Sequence, residues 1–429
     1  MEIGQLIRME RLKQNMKQET LAYNICSTSH LSKIEHGTTA PSDFVQQQLL
    51  QRLNISLEST VNNSSPAQFI QFREHFQGVI NRRDKLAAES LCREIQHYME
   101  THPLYDYRFD LLLMENRLLL MTSTDVLAIK GSLDIWVATK NELSNNQQFH
   151  LYIIQGIIAY KENRFTNALT IFKDAYKLSQ ESRMEDWEMA ELHYVLSLAA
   201  LSDYRYILAI DHTQEAIVYF NTHMLAKRSI EALLILGIAQ KHSGDVEDAL
   251  VTFKRAKEIM RNTEISTFSG VIEQNLGTCY SLLGNSERSL HHFNQSIHAN
   301  DTSENQVITI LSIVKEYKKI DDIETAKEWV QKGMTLLEQL PKHNENPYNH
   351  HFAIYKALLF NENNLVAIFK PALHFFEEKQ NYYRCFVYCN ILAEKLAQRN
   401  QFKLATTFYQ KGFEYHLTHR KVKQWEELT

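Results

Sequence analysis

Residues 230–263 read IEALLILGIAQKHSGDVEDALVTFKRAKEIMRNT, and this stretch decides the fold of the chain. Gly237 precedes Ala249, Phe253 and Ala256 by 12, 16 and 19 residues. Small residues at such positions let two helices approach closely, and the large residues fill the gap to the next pair of helices. The stretch therefore predicts a helical hairpin of the tetratricopeptide type.

The same spacing recurs along the chain. Two further copies contain Gly156 with Ala168, Phe172 and Ala175, and Gly277 with Ser289, Phe293 and Ser296. Weaker copies keep only the small residue of the second helix, at Ala88, Ala209, Ala326, Ala367 and Ala405. We expect an all-α fold in which residues 69–429 form a right-handed superhelix of eight or nine hairpins with a concave inner face.

Composition excludes several other classes. The chain has only 12 glycines and 6 prolines among 429 residues, too few for the many turns of a sheet-rich fold. Without a long apolar run or an export signal, the sequence predicts a cytoplasmic protein with no membrane contact. The five cysteines form no CxxC pair and are expected to be reduced and buried. We expect no metal, no cofactor and no enzymatic activity, because phosphate-loop, HExxH and nucleophile-elbow motifs are missing.

Residues 1–58 predict a separate small helical domain, followed by a polar linker at 59–68. A short second helix begins at Gln18. A tight turn at Asn24-Ile25-Cys26 suits asparagine, which tolerates the left-handed conformation. Ser27 is a good N-cap for a third helix over residues 28–35, whose buried anchors are Leu31 and Ile34.

This domain resembles the helix-turn-helix domains of the Xre/Cro family, through Gln18-Glu19, Leu21-Ala22, Leu31-Ser32-Lys33-Ile34-Glu35, Gly37 and Pro41. Lys17 departs from the Ser or Thr cap common there, and the turn is one residue shorter. In such domains the third helix enters the major groove. The resemblance implies DNA contacts by Gln18, Ser27, Thr28, Ser29, His30, Ser32 and Lys33, and a structural role for Glu35. The alternative is a solvated face without a partner.

Charge indicates how such a domain would bind. Residues 1–56 hold six Lys/Arg against five Asp/Glu, and the whole chain has a net charge of -5. One copy would thus have little affinity for phosphates. We expect binding to a double-stranded operator by a homodimer or higher oligomer that reads two half-sites.

The first helix of each hairpin is expected to line the concave face. Polar residues predicted there are Arg117, Tyr194, Gln274, Asn275, Thr278, Lys315, Lys356 and Asn390. Asparagine amides carry a donor and an acceptor and can hold a peptide main chain, while Lys and Arg can hold a carboxylate. We interpret the face as the site of a short extended peptide. Ordinary solvated side chains are the alternative, and the one we prefer for each lysine.

An Xre-type domain joined to such repeats resembles the RRNPP family of quorum-sensing receptors, and the repeat count matches its longer members. The resemblance implies a transcription regulator that binds an imported signalling peptide in the repeat groove and thereby changes its oligomer arrangement and DNA binding. It also implies an alternative: a Rap-like protein that binds and inhibits a response regulator of the sporulation phosphorelay when peptide is absent. One bifunctional protein could do both.

Overall fold

The computed structural model describes residues 3–14, 16–55, 66–101, 107–123, 125–138, 143–299, 302–340, 346–420 and 422. These residues form twenty-two α-helices and no strand, so the all-α prediction is confirmed. The first four helices are α1 (Ile3–Lys13), α2 (Gln18–Ala22), α3 (Thr28–Glu35) and α4 (Asp43–Arg52). No described helix is both long and apolar enough to cross a membrane.

Local signals place the turns of the N-terminal domain. Asn24 has φ 58°, the left-handed conformation expected of it. The Ser27 hydroxyl accepts a hydrogen bond from the His30 amide and caps α3, as predicted. Gly37 follows α3 with φ 70°, a value that glycine adopts without strain. Lys17 makes no side-chain cap at α2, which agrees with its departure from the family pattern.

The remaining eighteen helices pair into nine hairpins. In chain order they are α5 (Pro66–Arg82), α6 (Lys85–Thr101), α7 (Arg108–Thr122), α8 (Val126–Ala138), α9 (Asn145–Lys161), α10 (Phe165–Glu181), α11 (Asp186–Ser202), α12 (Tyr206–Thr222), α13 (Ala226–Ser243), α14 (Val246–Asn262), α15 (Ser269–Leu282), α16 (Ser286–Ala299), α17 (Ser303–Lys319), α18 (Ile323–Glu338), α19 (Pro347–Leu359), α20 (Leu365–Glu378), α21 (Tyr382–Gln398) and α22 (Phe402–Arg420). Because α5 begins at Pro66, residues 66–68 of the predicted 59–68 linker are helical. Residues 59–65 lie outside the described residues.

The repeated glycines allow the two helices of a hairpin to touch. A Cβ atom added to Gly277 would lie 2.5 Å from the Phe293 ring, and one on Gly237 would lie 2.6 Å from the Phe253 ring. Gly156 faces Phe172 in the same way, at 2.2 Å. The sixteen-residue spacing in the sequence therefore arises because a glycine on the first helix packs against a phenylalanine on the second.

The described contacts divide the chain into two compact units, Met1–Thr263 and Glu264–Thr429. Unit 1 contains α1–α14 and unit 2 contains α15–α22. Within unit 1 the N-terminal domain packs on the second hairpin, and the domain boundary near residue 58 stays a prediction. Leu6, Ile7 and Leu31 share a buried apolar cluster with Phe109 of α7 and Ile129 of α8. The Arg108 guanidinium donates to the Glu10 carboxylate at 3.2 Å across the same junction.

Candidate DNA-binding and ligand-binding sites

Helix α3 presents a polar surface. Thr28, Ser29 and Lys33 are exposed, and His30 and Ser32 are half-buried. Leu31 and Ile34 on the opposite side are fully buried in the domain core. Helix α3 thus has a fixed inner face and an outer face of short polar groups and one lysine, which is suited to base edges and phosphates.

A buried network holds α3 against the first two helices. Arg11 donates two hydrogen bonds to the Glu35 carboxylate, at 2.6 and 2.8 Å, and the Gln18 amide donates to it at 2.7 Å. Glu35 is fully buried and serves a structural role paired with an arginine, as its position predicts. Gln18 is thereby turned toward Glu35, so its predicted DNA contact would use only the second hydrogen of its amide nitrogen.

The predicted ligand residues of unit 2 lie on the first helices of consecutive hairpins. On α15, the Gln274 amide donates to the Ser312 hydroxyl of α17 at 2.8 Å, and the Thr278 hydroxyl donates to the Gln274 carbonyl. Asn275 is only 7% exposed, and its amide donates to the Val271 carbonyl one turn earlier. Gln274 and Asn275 are therefore held in place by the protein itself, and a bound peptide would compete with these bonds.

Lys315 on α17 belongs to a cluster of side chains that the sequence did not predict. Its ammonium nitrogen is 5.6 Å from the centre of the Tyr355 ring of α19. Burial, together with repulsion from Arg384 on α21, lowers the pKa of Lys315 to about 8. Among the described residues neither Lys315 nor Arg384 has a carboxylate partner in a salt bridge. The pair therefore forms an uncompensated positive site.

Tyrosine and histidine side chains complete this cluster. The His351 ring on α19 is hydrogen-bonded to the Tyr388 hydroxyl on α21. Burial, with repulsion from Arg384 and Lys315, lowers the pKa of His351 to about 3, so this ring stays neutral. Burial raises the pKa of Tyr355 to about 12. Neutral phenols and imidazole beside two cations can hold an anionic group.

Lys356 and Asn390 complete the predicted set in unit 2. Lys356 is half-buried on α19. The Asn390 amide on α21 donates to the Phe386 carbonyl at 2.8 Å. A Cβ atom on Gly412 of α22 would lie 3.2 Å from the same amide nitrogen, so a larger residue at this position would crowd the Asn390 side chain. Contact of either residue with a peptide stays a prediction.

Arg117 and Tyr194, predicted as ligand residues, belong to a buried ion cluster in unit 1. Arg117 on α7 donates to Glu191 on α11 at 2.6 Å, and Arg228 on α13 donates to the same carboxylate at 2.6 Å. Burial acts to raise the pKa of Glu191, but the guanidinium groups of Arg228, Arg83 and Arg117 outweigh it and hold that pKa well below its usual range. The structure thus gives Arg117 an internal carboxylate partner, where the sequence suggested a peptide carboxylate alone.

The Tyr194 ring lies between the charged groups of this cluster. The Arg83 guanidinium carbon is 4.6 Å from its ring centre, and that of Arg228 is 4.4 Å away. Sequence reasoning missed Arg83, Arg228 and Glu191. They come from three hairpins, and no local spacing connects them. For the cluster in unit 2 a signal exists, since Tyr348, His351 and Tyr355 recur at spacings of three and four on one face of α19.

Comparison with known proteins agrees with this organisation. A helix-turn-helix family model matches residues 7–59. The transcriptional activator NprA of Geobacillus stearothermophilus is 25% identical over 405 residues, which cover 92% of this chain and 98% of NprA. Response regulator aspartate phosphatase I of Bacillus subtilis (strain 168) is 18% identical, over 68% of this chain and 73% of the phosphatase.

Solved structures share the fold. The apo form of the quorum sensor NprR from B. thuringiensis superposes with a TM-score of 0.69 at 17% identity, covering 82% of this chain and 99% of NprR. NprR in complex with its cognate peptide NprX gives a TM-score of 0.59 at 17% identity, over 82% of this chain and 99% of NprR. At such identities the likeness shows a common architecture of helical hairpins.

Proposed function

We propose that the chain is a member of the RRNPP family of peptide-responsive regulators and acts as a quorum-sensing transcription regulator. It binds a short imported signalling peptide on its repeats and an operator through its N-terminal domain. NprA, similar along nearly its whole length, is a transcriptional activator, and NprR binds the peptide NprX. We place this activity in the cytoplasm and expect no catalysis by the chain itself.

The observation that carries the proposal is the junction between the N-terminal domain and the second hairpin. Helix α7 contacts the N-terminal domain through Arg108, which pairs with Glu10. Nine residues further along the same helix, Arg117 reaches the ion cluster around Glu191. The rise between these two residues is about 13 Å. A ligand that moves α7 therefore acts directly on the domain that carries α3.

The peptide site is proposed along the first helices of the hairpins. Gln274, Asn275, Thr278 and Asn390 offer amides and a hydroxyl to a peptide main chain. Lys315 and Arg384 in unit 2, and Arg117 on α7 in unit 1, offer charge to a carboxylate. Binding shifts the equilibrium between two arrangements of protomers by the difference in affinity for each. Two protomers are needed because a single domain with a net charge of about +1 holds DNA weakly.

Replacing Lys33 with alanine tests the assignment of α3. Because Lys33 is exposed and is predicted to contact phosphate, we expect affinity to fall on every duplex alike. We also expect the slope of log K against log salt to decrease by about 1 for each protomer. Duplexes selected from a random-sequence pool by the wild-type protein supply the DNA, and fluorescence anisotropy supplies the affinities. Lys403→Ala, an exposed lysine of α22, is the control. An unchanged slope for Lys33→Ala would remove α3 from the DNA interface.

Similarity to a response regulator aspartate phosphatase supports a second candidate. In this reading the repeats bind a phosphorelay response regulator in the absence of peptide. Because the N-terminal domain packs on α7 and α8, deleting it would expose apolar surface, so a surface variant is the sharper test. If Lys33→Glu abolishes DNA binding but leaves every effect on sporulation intact, binding of a response regulator is the main function. If the effects on sporulation disappear together with DNA binding, transcription regulation is the main function.

A further inference from the structure

The turn that leads into α3 is held by an arginine of another helix. Arg52 is the last residue of α4, and its Nη1 atom lies within hydrogen-bond distance of three backbone carbonyl oxygens. They belong to Thr20 at 3.5 Å, to Leu21 at 3.1 Å and to Tyr23. These carbonyls lie at the C-terminal end of α2, 29 to 32 residues away in sequence. One side chain thus joins the end of α4 to the end of α2.

The described amides of the turn itself bond to a different carbonyl. A helix ends with carbonyls that no amide of the same helix reaches, and a left-handed glycine commonly helps to satisfy them. Residues 23–26 contain no glycine. The amides of Ile25 and Cys26 both donate to the Ala22 carbonyl, at 2.9 and 3.0 Å. Arg52 therefore supplies the bonds that the turn does not direct to the carbonyls on either side of Ala22.

The charge of Arg52 also suits the end of a helix. None of the salt bridges between described residues includes Arg52, so no carboxylate among them neutralises its guanidinium. The carbonyls at the C-terminus of a helix carry partial negative charge, which a nearby cation stabilises. Helix α2 has no basic residue in its own last turn. Arg52 thus provides the cation that this helix lacks.

The end of α4 gives Arg52 a fixed anchor. Leu50 and Leu53, which flank it, are 0% and 2% exposed in the core of the domain. The Gln14 amide, directly after α1, donates to the Leu53 carbonyl at 2.9 Å. Because these neighbours hold the backbone of Arg52, its guanidinium can hold the end of α2 in one position.

The position of this turn matters because it continues directly into α3. Asn24 has φ 58°, a conformation that residues other than glycine adopt less readily. Ser27 then caps α3. A shift in the turn would change the angle of α3 and displace Thr28, Ser29 and Lys33 together. Hydrogen bonds from short side chains to base edges depend steeply on distance and angle, so such a shift would weaken them.

We propose that Arg52 is a positioning residue for sequence-specific DNA binding. It holds the short, glycine-free turn between α2 and α3 and thereby sets the orientation of α3, while its own side chain does not touch DNA. This role rests on the proposed function, since it needs a DNA-binding α3.

The test compares Arg52→Met with the wild-type full chain on two duplexes. One is selected by the wild-type protein from a random-sequence pool, and the other is a scrambled duplex of the same composition. We expect affinity for the selected duplex to fall about tenfold, the effect of one misplaced base contact. Affinity for the scrambled duplex and its salt dependence should not change, because no phosphate contact is lost.

Arg399→Met is the matched control. Arg399 also donates to a carbonyl distant in sequence, that of Asn363 at 3.0 Å, but it lies in unit 2. We expect this variant to bind both duplexes as the wild-type protein does.

A second substitution shows whether Arg52 acts through the turn. Glycine adopts the left-handed conformation of Asn24 without strain, so Asn24→Gly should stabilise the turn independently of Arg52. Added to Arg52→Met, it should restore most of the lost affinity for the selected duplex. Hydrogen exchange of the α1 and α4 amides is measured on each variant, and these amides should keep their protection.

Three results would overturn this role. An equal fall on both duplexes, with a smaller salt slope, would make Arg52 a phosphate contact. A loss that Asn24→Gly does not reverse, or that accompanies lost protection in α1 and α4, would reflect the general stability of the domain. Unchanged affinity for the selected duplex would leave Arg52 without a role and the proposed function intact. If the wild-type protein itself does not prefer the selected duplex, the proposed function fails, and the role of Arg52 fails with it.

Discussion

A Glu191→Gln variant is expected to lower the free energy of unfolding of unit 1 by about 3–5 kcal/mol. Glu191 is 5% exposed and accepts hydrogen bonds from both Arg117 and Arg228, with Arg83 3.8 Å away. The neutral amide has nearly the same shape, so the packing is preserved. It removes one of the two carboxylates that compensate Arg83, Arg117 and Arg228, since Glu231 pairs only with Arg83 and Arg228. Arg117 is then a buried cation without a counterion, which is strongly unfavourable.

Urea denaturation followed by tryptophan fluorescence measures this effect, because Trp187 lies one helical turn from Glu191 and is 5% exposed. Glu181→Gln, on the exposed end of α10, is the matched control and should change the free energy by less than about 0.5 kcal/mol. A loss below about 1 kcal/mol in Glu191→Gln would mean that the arginines are neutralised in another way.

The difference in the free energy of unfolding between wild type and Glu191→Gln should change with pH in one direction. The folded-state pKa of Glu191 lies below its unfolded value of about 4.3. Its contribution is therefore fully present above that value and is lost as the pH falls toward the folded-state pKa. We expect the difference between wild type and Glu191→Gln to be constant from pH 7 to about 5 and to shrink under more acidic conditions. A difference that grows on acidification would contradict the assignment.

Replacing Gly4 with alanine should abolish specific DNA binding. A Cβ atom at this position would lie 1.7 Å from the Ile34 carbonyl oxygen, which belongs to the backbone of α3, the helix proposed to contact DNA. No rotamer change relieves such a clash, so α1 must separate from α3. We expect affinity for selected duplexes to fall to the non-specific level, a decrease of about a thousandfold or more.

Hydrogen exchange provides the second readout for this variant. Amides of α3 should lose protection in Gly4→Ala, whereas those of α9–α14 should keep theirs. Gly78→Ala is the matched control, because a Cβ atom there meets nothing within 4 Å. Wild-type DNA affinity in Gly4→Ala would show that α1 does not pack against α3 as described.

Local sequence patterns predicted much of the fold because the contacts they encode are local. Gly277 and Phe293, which are sixteen residues apart, are in contact within a single hairpin. Likewise, Asn24 and Ser27 determine a turn and a cap from their own backbone and hydroxyl chemistry. The extent of α3 was predicted for the same reason, since its cap and its terminating glycine are adjacent to it in sequence.

The surroundings of the candidate ligand residues were predicted less completely because their contacts are distant in sequence. Arg117 donates to Glu191, which is 74 residues away in sequence, and no residue near Arg117 predicts this contact. Periodicity assigned Asn275 to the inner face, but could not indicate that its amide donates to its own helix. Arg384 and Lys315 come together only when the first helices of three hairpins are placed side by side.

Control of DNA binding by a peptide bound on the repeats is tested most directly by reciprocal titration. A peptide enriched by the wild-type protein from a random-sequence library and a selected duplex are the two ligands, and fluorescence anisotropy measures each affinity with and without saturation by the other. We expect each ligand to change the affinity for the other by the same factor, about fivefold or more. If both ligands bind and that factor is one in both titrations, the bound peptide does not control DNA binding.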